Sequence, residues 1–361
     1  MRIRMARPPR RPLMADLWYV IVAGALTAFV LLDGYDFGAG MLHRWVARTD
    51  DERRQVIAAI GPFWDGNEVW LLAAGGALFL AFPKVLSAGL SGFYFAIFLV
   101  LWCLIGRGLA IEFRSHVADR MWRSFFDTLF MATSLLLALF FGVALANIVR
   151  GVPLSADGWF SLELFTQFRA TPPVGILDWY TITVGLFAVA ALAVHGGAFL
   201  ALRTDGVVRD RARLAARRAL SGVIVAWPLV TWATAVVRPG FFDAFAWRPL
   251  AWLFVIIALA GTVAAYAGLR NERDGLAFAG SACFVGGLLG ATAACAWPAL
   301  LYAVPVEANS LTTANAAAPA DGLRSAFFWY LPGLLLAMGY FALLARLHRE
   351  KARAGDYGSH G

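Results

Sequence analysis

The sequence predicts an all-α integral membrane protein, a bundle of about nine transmembrane helices, and three observations carry that prediction. The 361 residues are 60% hydrophobic and only 15% charged, against roughly 45–50% apolar and 25% charged in a soluble domain. Mean hydropathy is +0.68. The apolar residues also collect into runs of the roughly 20 residues that a helix needs to cross the hydrocarbon core. Fourteen Trp and twenty-eight Phe suit a surface that faces lipid and ends in aromatic belts.

In chain order the runs cover 17–40, 64–83, 86–111, 125–149, 178–202, 219–237, 250–270, 276–302 and 325–347. The second is the weakest, because its first turn is polar and Pro83 closes it early, as in a short or tilted span. Connections between runs are short. The reading is therefore one polytopic domain over 14–347, preceded by an Arg-rich extension at 1–13 and followed by a tail at 348–361. The Ala/Asn/Thr/Pro stretch at 308–320 reads as a loop with a short surface helix.

Lys and Arg set the orientation, since short loops rich in them stay cytoplasmic. Loops on the side of the C-terminus hold twenty of them; the opposite loops hold six, namely Lys84, Arg150, Arg169, Arg238, Arg248 and Arg324. This places the C-terminus in the cytoplasm and, with nine spans, the N-terminus in the periplasm. Arg2, Arg4, Arg7, Arg10 and Arg11 contradict the count. Translation from Met14 would remove all five, whereas a cleaved signal fits poorly, because the following run exceeds a signal core of 7–15 residues and contains Asp33 and Asp36.

Net charge is +8, but the basic residues form no continuous patch beside exposed aromatics, so nucleic acid is not expected as a partner. Cys103, Cys283 and Cys295 lie in apolar runs without a Cys-x-x-Cys pair and read as small buried residues rather than a disulfide or zinc framework. Paired glycines at 75–76, 196–197 and 286–287 read as helix-packing positions, where a missing side chain lets backbones approach.

Ionisable groups inside spans cost roughly 2.5–3.5 kcal/mol each on insertion scales, so each asks for a reason. Asp33 and Asp36 are three apart and share one face of the first run. Asp65 and Glu68 share a face at the start of the second, within Trp64-Asp65-Gly66-Asn67-Glu68-Val69-Trp70. Arg107 and Glu112 close the third and read as a structural ion pair, with neutralisation of one of the four acids by Arg107 as the alternative. All of these fall on the cytoplasmic side. Partly desolvated carboxyl groups linked by a hydrogen-bonding side chain such as Asn67 are what a proton uptake route requires. For Asp65 and Glu68, helix capping at a dipole's positive end is an equal alternative. For Asp33 and Asp36, near a helix C-terminus, the dipole is unfavourable and function is favoured. His195 is the one histidine placed within a run; with no second histidine at its depth, it reads as a packing residue rather than a haem ligand. His43 and His116 are placed in loops.

Leu32-Asp33-Gly34-Tyr35-Asp36-Phe37-Gly38, then Gly61-Pro62-Phe63-Trp64-Asp65-Gly66-Asn67-Glu68-Val69-Trp70, then Gly106-Arg107-Gly108 with Glu112-Phe113-Arg114, resemble subunit II of the cytochrome bd-type quinol oxidases, including the cyanide-insensitive branch. His195-Gly196-Gly197 and Asn309-Ser310-Leu311-Thr312 support the match later in the chain. Leu32 departs from the Thr of many relatives. The resemblance implies a subunit of a quinol:dioxygen oxidoreductase of the bacterial inner (plasma) membrane, in which two b-type haems, haem d or a b-type substitute, and the quinol site belong to partner subunit I. This chain would then ligate no cofactor or metal. It would support its partner and form part of the cytoplasmic proton route through Asp65, with Asp36, Asn67, Glu68 and Asp33 contributing. Trp70 would line an apolar path for dioxygen, with packing against the partner as the alternative. A single-span small subunit and membrane lipid are further expected partners. The competing readings are a proton-coupled secondary transporter, which would place its substrate site near mid-membrane, and a purely structural assembly subunit.

Overall fold

A computed structural model describes residues 13–356, so the Arg-rich extension and the residues after 356 lie outside it. The helices in chain order are α1 (Leu13–Val46), α2 (Asp50–Ile60), α3 (Trp64–Ala81), α4 (Pro83–Gly92), α5 (Tyr94–Phe113), α6 (Arg120–Arg150), α7 (Trp179–Arg203), α8 (Gly206–Val237), α9 (Ala244–Trp247), α10 (Pro249–Arg270), α11 (Asp274–Ala296) and α12 (Ala320–Leu347). Eight of them are long and apolar enough to span a bilayer. The predicted span missing from these eight is the second, α3, whose 18 residues open on the polar Asp65, Asn67 and Glu68 and so dilute its apolar content.

Helix starts follow local chemistry. Thr49 caps α2 in a capping box with Glu52, and Asp178 does the same for α7 with Thr181, each satisfying backbone N–H groups that have no partner within the helix. Asp119 caps α6 through the amide of Trp122 at 2.8 Å. Two departures from the expected layout have similarly local causes. The run at 86–111 is interrupted at Phe93, so that α4 ends and α5 begins there. The basic segment before 219 is not a loop: α8 starts at Gly206 and carries its arginines out of the membrane on a continuous helix.

Helix α1 runs through the middle of the bundle, against α3, α6 and α7. Its crossing with α7 depends on two glycines. A Cβ on Gly38 would lie 2.2 Å from the Leu192 carbonyl oxygen and 2.6 Å from Gly196 Cα, so the two backbones touch. Gly287 serves the α10–α11 contact in the same way, 2.6 Å from the Ala258 nitrogen. Gly75 and Gly76 do not behave as expected: a Cβ on either would meet nothing within 4 Å among the described residues. Helix α12 is also peripheral, with only Leu323 buried and Trp329 85% exposed.

The 308–320 stretch is more ordered than a plain loop. It begins with a short 3-10 turn at Glu307–Asn309, and Leu311–Thr312 (β2) pairs antiparallel with Ala299–Leu301 (β1). This cap is tied to α1 by Asp16 Oδ1, which accepts from Trp297 Nε1 and Thr313 Oγ1, both at 2.9 Å. Of the cysteines, Cys103 and Cys295 are buried, whereas Cys283 is exposed on an outer face of α11, contrary to expectation.

Candidate functional site

The first-run motif places Asp33, Tyr35 and Asp36 on α1 where it faces both α3 and α5, and all three are buried. Arg107, fully buried on α5, donates to Asp33 through both terminal nitrogens, at 2.5 and 3.1 Å. It also donates to Glu68 of α3, and its guanidinium lies 4.7 Å from the centroid of Phe37. One guanidinium thus clamps two carboxylates from two helices, a geometry that its planar fork suits.

Asp36 has a different environment. No cation bonds to it; Asn67 Nδ2 of α3 reaches its Oδ2 at 2.7 Å and the Tyr35 hydroxyl at 2.8 Å. Asp36 Oδ1 and Asn67 Oδ1 are buried without a hydrogen-bond partner among the described residues. Tyr35 stacks on Phe199 of α7, with centroids 4.0 Å apart. Three acids, one guanidinium and one amide therefore meet at one depth, and Glu68, whose side chain is 30% exposed, is their link to the surface.

Two sequence assignments are revised here. Asp65 does not join the cluster: it is exposed on the first turn of α3, while Glu68, one turn further in, reaches Arg107. Glu112 is not the partner of Arg107. Five residues on, it sits about 140° around the helix and is exposed, so the guanidinium turns to acids from other helices.

Sequence reasoning also missed a second ionic centre. Asp127, on α6, is fully buried and accepts from His43 Nε2 at 2.6 Å, Arg114 Nε at 2.6 Å and Arg53 Nη1 at 3.0 Å. Asp50 extends it by accepting from Arg114 at 2.8 Å and Arg123 at 3.0 Å. His43 is thus a buried residue of α1, not a loop residue. The signal was available: Asp127 is an acid inside the run at 125–149, the criterion that singled out Asp33.

Trp70 is buried on α3, its ring centroid 5.8 Å from that of Phe341 on α12. It lines an apolar cavity of about 340 Å³ with Val69, Trp329, Tyr330 and Leu334. His195 has both ring nitrogens engaged: Nε2 lies 2.9 Å from the Leu31 carbonyl and Nδ1 2.8 Å from Ser281 Oγ. A carbonyl only accepts, so Nε2 donates to Leu31; Ser281 Oγ, which also reaches the Phe278 carbonyl at 2.8 Å, is the partner of Nδ1. The ring also stacks on Phe278 at 5.0 Å. His195 does not fit a haem, because ligation would need one of these nitrogens.

With this geometry in view, residues 14–348 match the family described as cytochrome bd terminal oxidase subunit II. The chain belongs to that family. It is 34% identical over 306 residues to cytochrome bd ubiquinol oxidase subunit 2 of Bacillus subtilis, a match covering 83% of this chain and 86% of the relative. Over 214 residues it is 37% identical to cytochrome bd-I ubiquinol oxidase subunit 2 of Escherichia coli, covering 59% of this chain and 55% of that one. The bd oxidase structure from Geobacillus thermodenitrificans superposes with a TM-score of 0.69 at 19% identity, over 93% of this chain and 98% of the other, which shows a shared fold. As a cytochrome bd oxidase subunit II, the chain is a membrane-embedded component of a terminal respiratory oxidase and works in complex with subunit I. The transporter alternative is set aside.

Proposed function

We propose that this subunit II forms part of the cytoplasmic proton route of a quinol:dioxygen oxidoreductase in the bacterial plasma membrane. Quinol and the haems, two of b type with haem d or a b-type substitute, are held by subunit I. The orientation rests on the twenty-to-six distribution of Lys and Arg, which puts the acid cluster at the cytoplasmic side. A single-span small subunit belongs to the same proposed assembly.

The observation that carries the reading is the asymmetry between Asp33 and Asp36. Arg107 remains protonated under all working conditions, so it fixes charge and passes no proton. Its bonds hold Asp33 and Glu68 in place. Asp36 takes the Asn67 amide on Oδ2 and lies within hydrogen-bonding reach of the Asp33 carboxyl, while its Oδ1 has no partner among the described residues, which leaves a position for a proton. Asp65 and Glu68 form the rim from which protons enter, Asp36 is the buried relay, and Tyr35 and Asn67 orient it. Haem in the partner supplies the electron chemistry; the residues of this chain hold and move the proton. Trp70 and its apolar cavity suit a small apolar molecule such as dioxygen.

The test is quinol oxidase turnover, with haem spectra as control, in membranes carrying Asp36→Asn beside the co-expressed partner. Turnover falls at least about tenfold, a barrier increase of about 1.4 kcal/mol, while the haem bands persist. Asp65→Asn gives a smaller loss, as suits a rim position. Normal turnover with normal spectra in Asp36→Asn makes this subunit scaffold at that position and sinks the route.

A further inference from the structure

At the end of the bundle opposite the acid cluster, a cavity of about 350 Å³ opens between the ends of α8, α10 and α11 and the β1–β2 cap. Arg238, Arg248, Tyr302, Glu307, Ser310 and Asn315 are among its lining residues. The two arginines stand out on charge. This side of the chain holds few basic residues, and the buried one, Arg150, is locked by Asp178, the Gly175 carbonyl and Asn147. Among the described residues, neither Arg238 nor Arg248 forms an ion pair with any carboxylate of this chain.

Their guanidinium planes are nevertheless held in place. Arg238 stacks 3.7 Å from the Tyr302 centroid and 5.0 Å from that of Phe241, and its Nη1 donates to the Val149 carbonyl at 3.0 Å. Arg248 stacks 4.8 Å from Trp297, and its Nη1 donates to the carbonyls of Ala294 and Cys295, at 2.6 and 3.3 Å. Arg238 also shares a side-chain hydrogen bond with Tyr302, and among the described residues no carboxylate takes up the remaining donors of either five-donor fork. Glu307 is the one acid in the lining, and two cations against one anion leave a single positive charge.

From this we infer that the cavity between α8, α10 and α11 binds a singly charged phosphate ester, the phosphodiester of an anionic phospholipid headgroup, through Arg238 and Arg248. The chemistry matches in charge and geometry, because guanidinium edges pair with phosphate oxygens in bidentate fashion. The depth matches as well: the cavity lies where α8 and α11 end and α10 begins, at the membrane boundary where headgroups sit. Ser310 and Asn315, which also line the cavity, are tied into the cap by hydrogen bonds to Ala303, Thr312 and the Ser310 carbonyl.

The test is native mass spectrometry of the full chain purified with its partner subunit, titrated with phosphatidylglycerol, with a parallel arm in which inorganic phosphate competes. The double variant Arg238→Gln/Arg248→Gln, its assembly verified by haem spectra, loses at least about tenfold in affinity for one phosphatidylglycerol, about 1.4 kcal/mol. Glu307→Gln removes the opposing charge and binds that lipid several-fold more tightly. Displacement of the lipid by millimolar phosphate assigns the same phosphate chemistry to a free ion; resistance to it assigns the lipid. Wild-type lipid affinity in the double variant, or unchanged affinity in Glu307→Gln, overturns the site. The Glu307→Gln arm keeps the test decisive even where the double variant does not assemble.

Discussion

The Asp127 centre and the Asp36 centre are both buried ionic clusters gathered around α1, yet their charge balance is opposite. Around Asp127, a single carboxylate accepts from His43, Arg53 and Arg114, and Arg114 is itself shared with Asp50. Around Arg107, a single guanidinium faces Asp33 and Glu68, while Asp36 stands beside it with no cation. Buried charge is tolerated when it is paired and hydrogen-bonded. In the first cluster the carboxylate is fully paired, although His43 Nδ1, Arg53 Nε and Arg114 Nη1 have no partner among the described residues, and the cluster joins α1, α2, α6 and the end of α5. In the second, Asp36 Oδ1 has no hydrogen-bond partner among the described residues, the feature on which the proposed proton relay rests. The two clusters thus differ in how cations are matched to carboxylates, although Asp127 and Asp36 are equally buried.

This contrast can be broken or sharpened by substitution. The largest effect is expected from Asp127→Ala, which strands His43 and Arg53 and leaves Arg114 with Asp50 alone: removing one partner of a buried ionic network costs about 3–5 kcal/mol, read as loss of assembled, haem-bearing complex in membrane extracts. If the complex assembles normally, the cluster is not the lock described. Next comes Arg107→Gln, which leaves Asp33 and Glu68 without their cation. It is expected to lower stability by about 2–4 kcal/mol, and adding Asp33→Asn should restore part of that loss in a double-mutant cycle. Additive losses would mean that the pair does not interact. Gly38→Val should come third, because its side chain would meet the α7 backbone, and a forced overlap costs about 1–3 kcal/mol; thermal inactivation of the oxidase in membranes measures it. The smallest effect is expected from Glu112→Gln, within about 0.5 kcal/mol and with turnover unchanged. A clear defect there would restore the ion pair between Arg107 and Glu112.

Much of this was legible in the residues. The acids of the first two spans stood out because apolar context makes any carboxylate conspicuous, and i, i+3 spacing placed Asp33 with Asp36 on one face. Asp65 illustrates where that reasoning stops. It shares a face of α3 with Glu68, but one turn of difference puts Glu68 within reach of Arg107 and leaves Asp65 at the rim. The continuous α8 was hidden because its first half is polar, and a helix outside the membrane has no hydropathy signature. The arginines at the opposite end were visible as exceptions to the charge asymmetry, but nothing local showed that three helix ends bring them to one cavity.

The sequence by itself determined membrane insertion, the approximate number of spans, the family, and two of the buried acids, Asp33 and Asp36, because each depends on composition, short-range periodicity or contiguous motifs. Only the tertiary structure decided the partners. Arg107 lies 74 residues from Asp33 and 39 from Glu68, and Asp127 lies 84 from His43. Contacts at such separation are set by which helices pack side by side, here by the backbone contact of α1 with α7 at Gly38 and Gly196, and spacing along one helix carries no information about its neighbours.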